Sequence, residues 1–71
     1  MSADNKRVEA TNAVLSAIAS WGKTKSYGPS FRDIALATNL PLGTVHSICR
    51  ELRETGDVHF LDHVARSLTI V

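Results

Sequence analysis

The sequence has a single cysteine, Cys49, and no long uninterrupted run of apolar residues. One cysteine cannot form an internal disulfide, so the cytoplasm, a reducing compartment, is the expected location. The polar start of the chain is not followed by an apolar segment that could act as a signal peptide or cross a membrane. We therefore expect no membrane association.

An excess of charge of one sign is also missing, because 8 Lys and Arg stand against 7 Asp and Glu, for a formal net charge of +1. Any positive field for nucleic acid must therefore come from the placement of individual side chains. The 71 residues suffice for one domain, and 44% of them are hydrophobic, as in globular proteins. We expect residues 1–5 to be a flexible leader and residues 6–71 to be that domain.

The residue patterns of common catalytic sites are absent from the sequence too. It has no glycine-rich phosphate loop and no set of metal ligands. His46 and Cys49 are three residues apart, but two ligands do not make a zinc site. Ser47 has only His46 beside it in sequence, pointing about 100° away on a helix. We expect neither an enzyme nor a metal or other cofactor.

Helix patterns fill most of the chain. Apolar residues fall on one arc from Lys6 to about Gly22, which predicts an amphipathic first helix. Ser30 stands three residues before Asp33, a near match to a capping box, and predicts a second helix that runs to about Thr38.

A third helix is predicted over residues 41–55. Asn39 suits the sharp turn before this helix, because Asn tolerates the left-handed conformation. Pro41 suits the first turn and Gly56 suits the end. The inward side of the helix is predicted from four residues that share about 100° of arc, namely Val45, Ile48, Cys49 and Leu52.

Two β-rich segments close the chain, residues 57–61 and 67–71, and indicate a two-stranded hairpin. The predicted fold class is mainly α with a C-terminal β-hairpin (α+β). Trp21 and Tyr27 are expected in the core, since Trp21 continues the apolar arc of the first helix.

Several of these segments resemble known DNA-binding families. Five short segments carry the first resemblance: Ile34-Ala35, Asn39-Leu40-Pro41, Thr44-Val45-His46, Leu52 and Gly56-Asp57-Val58. They resemble the helix-turn-helix of the IclR and MarR families. The DNA-binding domain of the LexA family resembles the stretch Tyr27-Gly28-Pro29-Ser30-Phe31-Arg32-Asp33-Ile34-Ala35, and the likeness covers nearly all of the chain after Val8.

The resemblance implies a winged helix-turn-helix of three helices and a wing. The third helix would enter the major groove, and the hairpin at residues 57–71, the wing, would contact the adjacent DNA backbone. The self-cleaving protease domain of LexA and the sensor domain of IclR proteins have no counterpart in these residues, so their activities are not implied. The turn is one residue shorter than in LexA, so a LexA-like operator is not implied either.

The outward side of the third helix is the predicted DNA-binding surface. Arg50 is the first candidate for a base contact, since Arg to guanine is the commonest specific contact; a solvated charge or a weak ion pair with Glu54 is the alternative. Thr44 and Ser47 suit base or phosphate contacts near the helix N-terminus, with capping or plain exposure as the alternative. The small Gly43 would let the backbone approach DNA closely.

Three further side chains complete the predicted surface. Arg32 resembles a residue that anchors a DNA phosphate in this architecture. His63 and Arg66, at the tip of the wing, would contact the DNA backbone or the minor groove. For each of the three, a surface position without a partner is the alternative. The predicted DNA contacts are Arg32, Gly43, Thr44, His46, Ser47, Arg50, His63 and Arg66.

These features predict a sequence-specific regulator of transcription that binds double-stranded DNA. Repression is favoured over activation, and a homodimer is expected on an inverted repeat. The alternative is a protein-interaction module with the same fold, such as an antirepressor or an assembly subunit. Leu36 and Leu42 are candidate interface residues, because such families usually have polar residues at both positions; contact with a thymine methyl group is the alternative for Leu42.

Overall fold

Three helices are followed by a small antiparallel sheet in the computed structural model, which describes residues 2–62, 64 and 66–71, with side chains from residue 6 onward. The elements are α1 (Ser2–Thr24), α2 (Phe31–Thr38), α3 (Leu42–Thr55), β1 (Val58–His59) and β2 (Thr69–Ile70). The predicted mainly α, α+β class is confirmed. Over the described residues, no helix combines the length and the apolarity that crossing a membrane requires.

The first helix is longer than predicted at both ends. It begins at Ser2, so residues 2–5, which we expected to form a flexible leader, have helical backbone. No Pro or Gly precedes Gly22, so nothing in the sequence interrupts the helix toward its start. Gly22 was the predicted end, but one Gly costs a helix only about 1 kcal/mol, and α1 continues to Thr24.

The start and end of α2 follow the predicted capping signals. The backbone N–H of Asp33 donates to Ser30 Oγ, and the backbone N–H of Ser30 donates to Asp33 Oδ2, each at 3.0 Å. This reciprocal pair is a capping box, which satisfies two of the N–H groups that a helix start leaves open. Asn39 ends the helix at φ 59°, in the left-handed region.

The third helix begins at Leu42, because Pro41 lies at the N-cap rather than in the first turn as predicted. The carbonyl oxygen of Pro41 accepts the first helical hydrogen bond, from the N–H of Val45 at 3.1 Å. Gly56 ends the helix at φ 86°, a conformation that favours glycine, so the predicted end is confirmed.

The hairpin is shorter than predicted. Over the described residues, the strands pair Val58 with Ile70 and His59 with Thr69, and the N–H of Val71 donates to the carbonyl oxygen of Asp57 at 3.1 Å. Beyond this pair, the N–H of Leu61 donates to the side-chain oxygen of Ser67 at 2.9 Å, where a strand would use a backbone carbonyl. The side chain of Ser67 thus replaces a backbone acceptor at this point, and backbone pairing between the strands ends. The predicted strand limits of 57–61 and 67–71 are therefore wrong.

The core lies between the three helices and the start of the hairpin. The predicted inward stripe of α3 is confirmed, because its four residues are buried. Among the described residues, the buried hydrophobic side chains of the core are Val14, Ile18, Ile34, Val45, Ile48, Cys49, Leu52, Val58, Phe60 and Leu68.

Trp21 and Tyr27 lie at the edge of the core rather than inside it. Trp21 is half-buried and Tyr27 is 51% exposed, and neither belongs to the core cluster, so the prediction that both are core residues is wrong. The indole N–H of Trp21 donates to the carbonyl oxygen of Tyr27 at 2.7 Å. This hydrogen bond holds the two residues together at the border between the core and the loop.

Gly28 lies where the loop between α1 and α2 meets the C-terminal segment. A Cβ atom at this position would be 2.5 Å from the carbonyl oxygen of Arg66 and 3.1 Å from that of Leu68. The loop backbone therefore packs directly on the hairpin backbone, and only glycine leaves room for this contact. Nothing in the sequence pattern predicts this requirement.

Replacement of Gly28 by Ala is expected to destabilise the protein by about 1 to 3 kcal/mol, because two backbone segments must separate. Urea unfolding followed by circular dichroism measures the change. Gly22→Ala is the matched control, since a Cβ there has nothing within 4 Å and α1 gains about 0.5 to 1 kcal/mol from Ala. Equal stability of the two variants would contradict the close approach at Gly28.

Candidate nucleic-acid interface

One side of α3 is buried and the opposite side faces outward. We call the outward residues the outer face of α3; all are exposed except Thr44, which is half-buried, and they are Gly43, Thr44, His46, Ser47, Arg50, Glu51 and Glu54. A Cβ at Gly43 would meet nothing within 4 Å, so the backbone there is open to an approaching molecule. Five of the predicted contact residues therefore share one surface.

A groove runs between α3 and the segment that follows β1. We call it the hairpin groove; its volume is about 660 Å³, and its lining is Phe31, His46, Arg50, Phe60, Leu61, Asp62 and Val64. The ring of His46 lies on Phe31, with ring centroids 4.3 Å apart, and Phe31 meets Phe60 edge to face at 5.2 Å. This aromatic stack fixes the position of His46 at the wall of the groove.

Arg50 is exposed at the mouth of the hairpin groove. Within the described part of the chain, its guanidinium makes no ion pair, and the alternative pairing with Glu54 does not form. The five N–H donors of the guanidinium are therefore open to an acceptor from outside the protein.

Arg7, which sequence reasoning missed, reaches the outer face of α3 from α1. One nitrogen of its guanidinium, Nη2, lies 3.1 Å from Ser47 Oγ and 2.6 Å from Glu51 Oε2. The contact joins residues 40 and 44 positions apart, and no local pattern signals it. Ser47 is exposed, as its alternative interpretation has it, but its hydroxyl also accepts a hydrogen bond from Arg7.

The other predicted basic contacts are spread over the molecule. Arg66 donates to Asp33 Oδ2 at 3.0 Å and to the carbonyl oxygen of Gly28 at 3.3 Å, and its guanidinium lies 5.0 Å from the Tyr27 ring centroid. It therefore ties the C-terminal segment to the start of α2, although its side chain keeps 45% exposure. His63 lies outside the described residues.

Arg53 fixes the segment beside the hairpin groove. It donates to Asp62 Oδ1 at 2.9 Å and to the carbonyl oxygen of Phe60 at 3.3 Å, while its guanidinium lies 4.1 Å from the centroid of the Phe60 ring. This cation–π contact and the ion pair hold one wall of the groove against α3.

A second hollow lies at the turn between α2 and α3. We call it the turn hollow; its volume is about 570 Å³, and its lining is Arg32, Ala35, Leu36, Asn39, Leu40, Pro41 and Leu42. Leu36 is 77% exposed and Leu42 is 39% exposed, as expected for interface candidates. Arg32 therefore lines a different concave surface from Arg50.

The carboxyl of Asp33 and the thiol of Cys49 have shifted pKa values. The backbone N–H of Ser30 holds the pKa of Asp33 below its usual 3.8, with further lowering from the Ser30 hydroxyl and the nearby Arg66, against a partial opposing effect of burial. Burial raises the pKa of the Cys49 thiol to about 11, so this thiol stays protonated at neutral pH. Among the described residues, no group of three His, Cys, Asp or Glu is placed to hold a metal ion.

Comparison of the chain with protein-family models, with curated proteins and with solved structures found no match. The outer face of α3 and the hairpin groove therefore have to be interpreted from their own chemistry.

The lowered pKa of Asp33 predicts a loss of stability in acid. A carboxyl whose pKa is lower in the folded than in the unfolded state stabilises the protein above the unfolded value, and this contribution is lost as the pH falls through the folded value. Asp33→Asn is expected to lose less stability than the unaltered protein between about pH 5 and about pH 3 in urea unfolding.

Glu54→Gln is the control for this measurement, because Glu54 is an exposed carboxylate with no ion pair among the described residues. Its acid sensitivity should match that of the unaltered protein. Identical pH dependence for Asp33→Asn and Glu54→Gln would refute the stabilising role of the Asp33 carboxylate.

Proposed function

We propose that this protein is a winged helix-turn-helix regulator that binds double-stranded DNA in a sequence-specific manner. In this proposal α2 and α3 form the helix-turn-helix, the outer face of α3 enters the major groove, and the hairpin lies on the adjacent backbone as the wing. Repression is the favoured outcome, since a small DNA-binding domain can act by covering a site.

The two-sided character of α3 is the observation that carries the proposal. One side is fixed by a buried apolar stripe, while the opposite side offers the open backbone at Gly43, the hydroxyl of Ser47 and the free guanidinium of Arg50. A rigid helix with small residues and one unpaired Arg is suited to a groove in which bidentate Arg–guanine contacts provide specificity.

The charge distribution is consistent with a small number of phosphate contacts. Arg32 and Arg50 make no ion pair among the described residues, whereas Arg53 and Arg66 are bound to carboxylates. Each phosphate that a protein neutralises adds about 0.9 to the slope of log K against log salt. We therefore expect clear salt dependence, but less than that of strongly basic DNA-binding proteins.

A homodimer fits this function better than a monomer. One copy of α3 contacts only a few base pairs, and two copies related by a twofold axis would read half-sites about one helical turn apart. A palindromic site is the expected signature of this arrangement.

Selection of bound DNA from a random pool at low salt is expected to yield an inverted repeat. Arg50→Ala should weaken binding to that site by about 1 to 3 kcal/mol and relax the preference at one base pair of each half-site, because a bidentate base contact is lost. Binding and preference are measured by fluorescence anisotropy on the selected site and its single-base variants.

Lys23→Ala is the matched control, since it removes the same unit charge from the last turn of α1, about 24 Å along the helix from Arg7. It should weaken binding slightly and leave the base preference intact. No enrichment of any sequence, or equal effects of the two variants, would count against the proposed function.

A protein-interaction module is the second candidate, and the turn hollow favours it. Leu36 is 77% exposed beside Leu42 on a chain with a net charge of only +1. This function requires that the chain retains no DNA and co-purifies with a stoichiometric protein. Leu36→Asp should then abolish the complex, while Val71→Asp, at another exposed apolar residue, should preserve it.

A further inference from the structure

The contact of Arg7 with the outer face of α3 has two consequences for a helix that approaches DNA. Of the charged side chains on this face, Glu51 and Glu54 outnumber Arg50. Carboxylates that face phosphates are repulsive, and the repulsion grows as water leaves the interface. The guanidinium of Arg7, 2.6 Å from Glu51 Oε2, adds from α1 a second positive charge beside the outer face of α3, where Arg50 stands against two carboxylates.

The second consequence concerns the direction of the Ser47 hydroxyl. A hydroxyl has one donor and two acceptor sites, and Arg7 Nη2 occupies one acceptor site at 3.1 Å. Many helical Ser residues donate back to the carbonyl four residues earlier, as Thr11 does to Arg7 at 2.8 Å. Ser47 makes no such bond among the described residues, so its O–H is free to donate outward.

Both contacts come from one nitrogen and converge on one side of α3. Ser47 and Glu51 are four residues apart, so their side chains differ in direction by about 40° around the helix. Arg50 lies at the edge of the outer face that borders the hairpin groove. Arg7 contacts the opposite edge of this face.

We propose that Arg7 is a positioning residue for DNA recognition, which neutralises Glu51 and presents the Ser47 hydroxyl as a hydrogen-bond donor to an acceptor on a base edge in the major groove. This inference rests on the proposed function. The acceptors of matching chemistry are N7 and O6 of guanine, N7 of adenine and O4 of thymine.

The charge effect is tested with Arg7→Met and Lys6→Met, which remove the same charge from adjacent positions of α1; Lys6 is exposed and makes no ion pair among the described residues. Dissociation constants are measured on the DNA site selected by the unaltered protein. Arg7→Met should weaken binding about five- to tenfold, and Lys6→Met by less than about threefold.

Rescue separates positioning from general attraction to phosphate. Adding Glu51→Gln to Arg7→Met should recover most of the lost affinity, because the unpaired carboxylate is then gone. In the Lys6→Met background, where Arg7 still neutralises Glu51, the same change should tighten binding no more than it does in the unaltered protein. Arg7→Lys, which keeps the charge, should bind almost as the unaltered protein does. Equal losses for Arg7→Met and Lys6→Met, or no recovery with Glu51→Gln, would overturn the proposal.

The single variant Glu51→Gln keeps the test decisive if Arg7→Met does not fold. It leaves Arg7 without its carboxylate partner beside the DNA, so it should tighten binding about two- to fivefold. Unchanged or weaker binding would contradict the neutralising role.

The donor role of Ser47 is tested by base preference. Ser47→Ala and Arg7→Met should both relax the preference at the same base pair, and the double variant should relax it no further. A retained preference in Arg7→Met overturns this part. If the unaltered protein selects no DNA, the proposed function and this inference both fail; if it selects a site but the Arg7 variants behave like the Lys6 variant, only this inference fails.

Discussion

The burial of one side of α3 is the constraint on which the rest of the structure depends. Its apolar stripe is covered by α1, α2 and the hairpin, so the helix cannot rotate about its axis without exposing core residues. The direction of every outward side chain follows from this. Ile48 and Cys49 are fully buried in the core. Because their side chains point inward, those of Ser47 and Arg50, on the opposite side of the helix, share one outward surface.

Ion pairs then decide which of the basic side chains remain open. Arg53 and Arg66 fasten the C-terminal segment to α3 and to the start of α2, each through a carboxylate and a backbone carbonyl. Arg7 is committed to Glu51. Among the described residues, the basic side chains that make no ion pair are Lys6, Lys23, Lys25, Arg32 and Arg50, and of these only Arg50 lies on the outer face of α3. Placement, rather than total charge, therefore carries the affinity for DNA that we propose.

Local signals in the sequence predicted much of the fold. The capping box at Ser30, the left-handed turn at Asn39 and the end of α3 at Gly56 depend on residues within four positions of one another, and all three are confirmed. Contacts between distant residues were beyond such reasoning. Three such contacts join positions 33 to 44 apart: Arg7 with Glu51, Arg66 with Asp33, and Gly28 with the backbone of Arg66. They form only when the helices and the hairpin pack together.

The central claim is that the outer face of α3 binds DNA, and nuclear magnetic resonance tests it most directly. The backbone amide signals of the 7.7 kDa protein are followed during addition of its selected DNA at low salt. We expect the largest shifts to cluster from Gly43 to Arg50 and in the C-terminal hairpin. Shifts concentrated around Leu36 and Leu42, with the signals of Ser47 and Arg50 unchanged, would contradict the account.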